Sequence, residues 1–291
     1  MSKMKNKDLS NKYNNKHNIN KLFDLSGRIA IITGGAGLLG FQHASAIAEA
    51  GGTPIIVDIN EKTAKEKSKI ISDNYNVKSI GIRTDITIES DVKNLLDKIL
   101  TTFGQIDILI NNAAIDPKVN LKKNINLSRL ENFSIEQWNK ELSVGLTGAM
   151  ICSKIIGSQM SKSGAGVILN ISSDLGVIAP DQRLYKEDGL HESQQSVKPI
   201  TYSVIKHGLN GLSKYLATYW ADKGVRVNSI SPGGVYNNQD SEFVERLSKL
   251  IPMGRMAYKD EYKAAIVFMV SDASSYMTGA NLVVDGGRSC W

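Results

Sequence analysis

The chain has 291 residues, 42% apolar and 22% charged, enough for one sizeable core and ordinary for a soluble protein. Its net charge of +6 is concentrated: Lys3, Lys5, Lys7, Lys12, Lys16 and Lys21, less Asp8, give +5 within the first 21 residues, so a nucleic-acid surface is a poor inference for the rest. There is no signal-peptide core and no apolar run long enough to span a membrane, and Cys152 and Cys290 form no metal or redox motif; a reduced cytoplasmic protein without a metal site is expected.

In chain order, residues 1–24 read as a basic, Asn-rich tail with too few apolar residues to hold a structure. Residues 25–291 then alternate strand and helix patterns. Arg28 to Thr33 is a short apolar strand, Leu38 to Ala50 a helix and Pro54 to Asp58 a second strand. A helix over Glu61 to Asn74 and a strand over Lys78 to Arg83 follow. Glu89 to Phe103 is amphipathic, with Val92, Leu95, Leu96, Ile99 and Leu100 at helical spacing. Asp107 to Ile110 is strand four, and Ser134-Ile-Glu-Gln137 has the pattern of a capping box opening a long helix. Gly166 to Ser172 is strand five, 201–222 a helix and Val225 to Ile230 strand six. Helices near 240–250 and 260–271 precede a last strand, Asn281 to Val284.

Short apolar strands alternating with helices predict an α/β, doubly wound Rossmann fold: a mostly parallel, seven-stranded sheet with helices on both faces. A ligand then binds beyond the carboxyl ends of the strands. Polar and glycine motifs fall at those ends. The turn Thr33-Gly-Gly-Ala-Gly-Leu-Leu-Gly40 follows strand one, Asp58 ends strand two, and Asp85, Asn111 and Ser173 follow strands three to five. The glycines let backbone approach a pyrophosphate at a helix N-terminus. Asp58 stands at the spacing of a ribose-binding carboxylate, and it would repel a 2′-phosphate with no Arg or Lys in the turn to offset it; NAD is expected over NADP.

Tyr202 and Lys206, in Thr201-Tyr-Ser-Val-Ile-Lys206, share one helix face, and an ammonium there favours the phenolate over a phenol that otherwise ionises near ~10. Such a phenol can move a proton on and off an alcohol oxygen. Tyr219 and Lys223 repeat the spacing at the end of the same helix but lack a strand-end serine, and read as structural.

These marks, with Asp85-Ile86, Asn111-Asn-Ala-Ala114, Ser173-Asp-Leu-Gly176, Asn228-Ser-Ile-Ser-Pro-Gly233 and Thr278 to Gly287, make residues 25–287 resemble a short-chain dehydrogenase/reductase of the single-domain branch. The resemblance implies an NAD(P)-dependent oxidoreductase that moves hydride between nicotinamide and a secondary alcohol or ketone. Its implied catalytic residues are Ser173, which orients the substrate oxygen, Tyr202 as acid/base, and Lys206. The implied cofactor contacts are Gly34, Gly37, Leu39, Gly40, Asp58, Asp85, Ile86, Asn112, Ala113, Tyr202, Lys206, Pro232, Gly233 and Val235. A homodimer or homotetramer is also implied.

Two positions depart from that branch. Leu38 stands where a glycine is usual, giving the spacing Gly34-x-x-Gly37-x-x-Gly40 of the extended branch, and Gly145 stands where a catalytic asparagine holds a proton-relaying water. Two long loops, 115–133 and 177–200, should lie on the substrate side. Their Lys118, Lys122, Lys123, Arg129, Arg183, Lys186, His191 and Lys198 suggest an anionic or polyhydroxylated substrate. The second loop and the ending Asp285 to Trp291 resemble oxidoreductases of bacterial surface-glycan biosynthesis, of the legionaminic-acid type, which implies a sugar or nucleotide-sugar substrate. A polyol, a steroid-like alcohol, a 3-oxoacyl group and a cofactor-binding regulator without turnover are the alternatives. Cys290 and Trp291 could reach a neighbouring subunit.

Overall fold

A computed structural model describes residues 18–115 and 125–291. The tail lysines up to Lys16, and Lys118, Lys122 and Lys123 of the first loop, lie outside the described residues. Of the tail, Ile19–Leu22 forms one helical turn, with the Asn18 side chain accepting from the Asn20 N–H at 3.0 Å.

The elements follow the expected alternation: β1 Ile29–Thr33, α1 Leu38–Glu49, β2 Thr53–Asp58, α2 Glu61–Tyr75, β3 Ile80–Arg83, α3 Glu89–Phe103 and β4 Ile108–Asn111. Then come α4 (135–163), β5 Gly166–Ile171, α5 Ile200–Trp220, β6 Val225–Pro232, α6 Ser241–Lys249, α7 Lys263–Val270 and β7 Asn281–Val284. All seven strands pair in parallel in the order β3-β2-β1-β4-β5-β6-β7. The order reverses between β1 and β4, which is where an open sheet of this kind leaves a crevice.

Side-chain alternation along the strands makes the two cores. Ile29 and Ile31 of β1 face one layer, built with Leu95 and Ile99 of α3, Ile156 of α4 and Trp220 of α5. Ala30 and Ile32 face the other, with Ala44 and Ile47 of α1, Ile71 of α2 and Ile266 of α7. Because β1 is buried on both sides, it reads as a continuous apolar run rather than an alternating one.

Helix α4 departs most from expectation. Ser134 caps it, accepting from the Gln137 N–H at 3.0 Å, but the Gln137 side chain bonds Glu141 instead of returning to Ser134, so the capping box is half made. The helix then runs through two π-helical turns, Ser143–Thr147 and Ser153–Gly157, without leaving the right-handed region. The first turn contains Gly145. Such single turns inside a helix often mark functional sites.

Candidate active site

The turn after β1 is held from β4. The Thr33 hydroxyl accepts from the Asn112 and Ala113 N–H groups at 3.0 and 3.1 Å, and the Asn112 amide donates to the Thr33 and Gly34 carbonyls at 3.0 and 3.1 Å. Asn112 and Ala113 therefore brace the turn. Gly34 has φ +60°, and a Cβ there would lie 2.8 Å from Ala113 Cα. A Cβ on Gly40 would lie 2.2 Å from the Gly34 carbonyl oxygen. Gly37 is the N-cap of α1, and no side chain caps this helix or places a carboxylate in its first turn. The first-turn N–H groups and the positive pole thus keep their capacity for an anion. Leu38 takes the first helical position with 40% of its surface exposed, so the glycine missing there is not needed for the path of the chain.

Asp58 closes the turn from the β2 side. Its carboxylate accepts from the Ala36 N–H at 3.2 Å and from the Asn60 N–H at 3.1 Å. Asp85 accepts from the Thr87 N–H and hydroxyl at 2.9 and 2.6 Å, which fixes the bend after β3. Ile86 buries its side chain against Gly148 of α4, so any cofactor contact from this residue falls to its backbone. The expectation that Asn111 lines the cleft needs correction. Its side chain is buried and donates to Asn170 at 2.8 Å and to Ser153 at 3.1 Å, which ties β4 to β5 and α4. On the far side, the Gly233 N–H joins the Val284 carbonyl at 2.9 Å, and Val235 forms a bridge with Ala257. Pro232 ends β6 beside them. Glycine donors, an uncapped helix start and a carboxylate on the turn fit a dinucleotide.

The second half of the site comes from β5 and α5. Ser172 and Ser173 lie just past the end of β5, and their hydroxyls have different partners, as expected for neighbours on an extended chain. Ser172 Oγ donates to the Lys206 carbonyl at 2.9 Å, stitching this segment to α5. Ser173 Oγ donates to Asp174 Oδ1 at 2.7 Å. Gly176 makes the close approach workable: a Cβ there would lie 2.4 Å from Ser172 Oγ and 2.9 Å from the Lys206 carbonyl. Lys206 is 6% exposed, donates from Nζ to the Ile171 carbonyl at 2.8 Å, and places that Nζ 5.6 Å from the centre of the Tyr202 ring. The second Tyr-x-x-x-Lys pair is elsewhere. Tyr219 is exposed and stacks on Tyr215, and Lys223 pairs with Asp222 at 3.0 Å beyond the end of α5.

Gly145 faces α5. A Cβ built on it would lie 2.8 Å from Ile205 Cγ2, so the branched side chain before Lys206 takes the space in which an asparagine at position 145 would begin. The two residues are complementary, and the departure at Gly145 comes with a filled volume rather than a hole.

Residues 28–185 match the family model described as short chain dehydrogenase, and residues 189–289 match the one described as Enoyl-(Acyl carrier protein) reductase. The chain belongs to the short-chain dehydrogenase family. It is 33% identical over 270 residues to D-threitol dehydrogenase of Mycolicibacterium smegmatis, covering 91% of this chain and 94% of that protein. It is 29% identical to an NAD-dependent glycerol dehydrogenase of Listeria innocua, covering 92% and 96%. Among solved structures, a gluconate 5-dehydrogenase from Burkholderia cenocepacia in complex with NADP and tartrate superposes with a TM-score of 0.82 at 27% identity, covering 94% of this chain and all of that one.

Among the described residues of the long loops, three basic side chains pair with carboxylates of the same loops. Arg129 pairs with Glu131 at 2.5 Å, Arg183 with Asp181 at 2.6 Å and Lys186 with Glu192 at 3.5 Å. His191 Nδ1 accepts from the Ser193 N–H. Lys198 is placed differently, with its Nζ 3.9 Å from the centre of the Tyr202 ring. A cavity of about 290 Å³ opens between the two loops, with Ser128, Arg129, Gln182, Val197 and Lys198 in its wall. A larger groove of about 820 Å³, between residues 20–26, α1 and α7, lies at the opposite ends of the strands, away from this chemistry.

Sequence reading missed four buried polar groups here. Glu141 is 1% exposed and bonds Thr201, the neighbour of Tyr202. Tyr262 donates to the Gly233 carbonyl at 3.2 Å, and burial pushes its phenol well above the usual range. Asp174 and Arg288 form an ion pair at 2.6 Å. Asp174 and Arg288 lie within motifs already singled out, but no local spacing joins residues 114 positions apart. Among the described residues no cluster could hold a metal ion, and no helix is long and apolar enough to cross a membrane.

Proposed function

We propose that this dehydrogenase interconverts a secondary alcohol and a ketone on a neutral, polyhydroxylated substrate, a polyol or free sugar, with NAD as the preferred partner. The observation that carries the substrate class is the state of the loops. Arg129 in the cavity wall is paired with Glu131, also in that wall, and Ser128 and Gln182 line it as well, which favours hydrogen bonding over an arginine charge as the means of recognition there. Relatives named for threitol and glycerol agree with that chemistry, while the one named for gluconate shares the hydroxyls but acts on an anion. A surface-glycan or nucleotide-sugar setting gains no support from them.

Bound nicotinamide supplies the acceptor or donor of hydride. The chain's own residues do the proton work. Tyr202 takes the hydroxyl proton during oxidation and returns it during reduction. Lys206, anchored to the Ile171 carbonyl, sets positive charge beside the phenol and favours its ionised form. Ser173 donates to the reacting oxygen as negative charge develops there. A dimer or tetramer is part of this reading, supported by the stacked, exposed Tyr215 and Tyr219 on α5.

The deciding experiment is nicotinamide reduction by the full chain with NAD across polyols, free sugars, sugar phosphates and nucleotide sugars. Turnover on C4–C6 polyols, with sugar phosphates poorer, is the expected result; exclusive turnover of nucleotide sugars would overturn the substrate class. For the cofactor, Asp58→Ala should shift the NADP/NAD ratio of kcat/KM toward NADP by roughly tenfold, the size of losing a charged hydrogen bond to ribose. Because Asp58 also accepts from Ala36, the turn should loosen and binding of both cofactors should weaken somewhat. An unchanged ratio would remove Asp58 from cofactor selection.

A further inference from the structure

Asp174 and Arg288 are both charged and almost wholly buried, with side chains 4% and 8% exposed. Taking two charges out of water is expensive, and a buried pair is weak evidence of a gain in stability. What sets this pair apart is its third member. Asp174 Oδ2 accepts from Arg288 Nη1 at 2.6 Å, while Oδ1 accepts from Ser173 Oγ at 2.7 Å and from the Leu175 N–H at 2.8 Å. A carboxylate offers only acceptors, so the single hydroxyl hydrogen of Ser173 points at Asp174. Its oxygen also accepts from the Leu175 N–H at 3.2 Å. To donate to a substrate oxygen, Ser173 has to release Asp174.

The arginine is held as deliberately as the carboxylate. It sits in the terminal turn Arg288–Cys290, entered through Gly286 and Gly287 at φ +67° and +89°. Asp285 accepts from the Gly287 and Ser289 N–H groups at 2.9 and 2.8 Å, and Trp291 Nε1 donates to the Leu250 carbonyl at 3.2 Å. The same Asp285 packs against Gly233, where a Cβ would lie 2.8 Å from its Cα. The chain end is thus fastened on both sides of Arg288.

We propose that Arg288 is a positioning residue for the reaction: by neutralising Asp174 it sets how tightly the Ser173 hydroxyl is held, which makes the C-terminal turn part of the active site. The inference rests on Ser173 being the residue that orients the substrate oxygen. A carboxylate paired with a guanidinium is a weaker acceptor than a bare one, so the serine hydrogen can turn to substrate. Without Arg288, the bare carboxylate grips that hydrogen and holds the hydroxyl away from the reacting oxygen.

The test is steady-state kinetics of the full chain on a polyol it turns over, with NAD affinity and melting temperature measured in parallel. Arg288→Met should lower kcat roughly ten- to a hundredfold with KM and NAD affinity nearly unchanged, the scale of a misplaced catalytic group. Arg288→Lys should recover part of the loss. Adding Asp174→Asn to Arg288→Met should recover most of it, because the uncompensated charge is gone. On a Ser173→Ala background, Arg288→Met should change kcat by no more than about twofold, since residues acting as one unit are not additive. The same kcat loss with and without Ser173, or a melting-temperature drop with kcat intact, would make the pair a C-terminal staple and overturn the proposal. If Arg288→Met does not fold, Arg288→Lys makes the comparison: its looser pairing with Asp174 should lower kcat part-way with Ser173 present and not on the Ser173→Ala background. A Ser173→Ala enzyme with normal kcat would instead overturn the serine assignment, and the proposal with it.

Discussion

Tyr202→Phe is expected to lower kcat by about 10³-fold, within the range supplied by a positioned acid/base group. The substitution keeps the ring, and with it the packing under Lys198 and the proximity to Lys206. Only the proton-carrying oxygen is lost. NAD affinity and melting temperature should therefore stay close to those of the parent enzyme, while single-turnover hydride transfer collapses. A kcat within about threefold of the parent would remove Tyr202 from the chemistry and reopen the question of which group takes the substrate proton. Lys206→Met should also be slow, but it is less clean, because it strips the donor from the Ile171 carbonyl and leaves that carbonyl without this bond.

Gly40→Ala should be the most damaging single methyl group in the cofactor turn. The new Cβ would stand 2.2 Å from the Gly34 carbonyl oxygen, 2.8 Å from Asn112 Nδ2 and 2.8 Å from Gly35 Cα. None of these is the free end of a long side chain, and Asn112 is committed to the Thr33 and Gly34 carbonyls. The turn has to open, at roughly 1–3 kcal/mol of overpacking, and the N–H groups aimed at a phosphate move with it. The expected result is at least about tenfold weaker NAD binding by titration, with a lower melting temperature. Gly37→Ala is the internal control. Gly37 has ordinary φ −73° and ψ 177°, and the nearest contact of an added Cβ is the Gly34 carbonyl at 3.3 Å, so its effect should be much smaller. Equal effects at both positions would mean that the turn tolerates a side chain at 40 and that its glycine spacing has another cause.

The loops alter how the substrate is read. Basic residues at 129, 183 and 186 leave an anionic and a polyhydroxylated substrate both open in the sequence, because charge is visible there and pairing is not. The fold brings Glu131, Asp181 and Glu192 against them, and exposed pairs of this kind contribute little stability while still removing net field from the cavity. Lys198, in the chain entering α5, lies over the Tyr202 ring.

The amino-acid order already carries the alternation of elements, the parallel sheet, the strand ends with the glycine turn, Asp58 and Ser173, and the spacing of Tyr202 and Lys206 on one helix face. These are local properties: apolar periodicity, turn chemistry and short spacings within one or two elements. It also exposed Leu38 and Gly145 as departures. The packing of the folded chain gives those departures their meaning. Leu38 is harmless because Gly37 already caps α1, and Gly145 is filled because Ile205, 60 positions later, leans into its space. It alone turned Asn111 away from the cleft into a buried bond with Asn170, and it alone carried Arg288 to Asp174. Pairings of this kind leave no pattern along the chain, since they depend on which surfaces the folded sheet and helices press together.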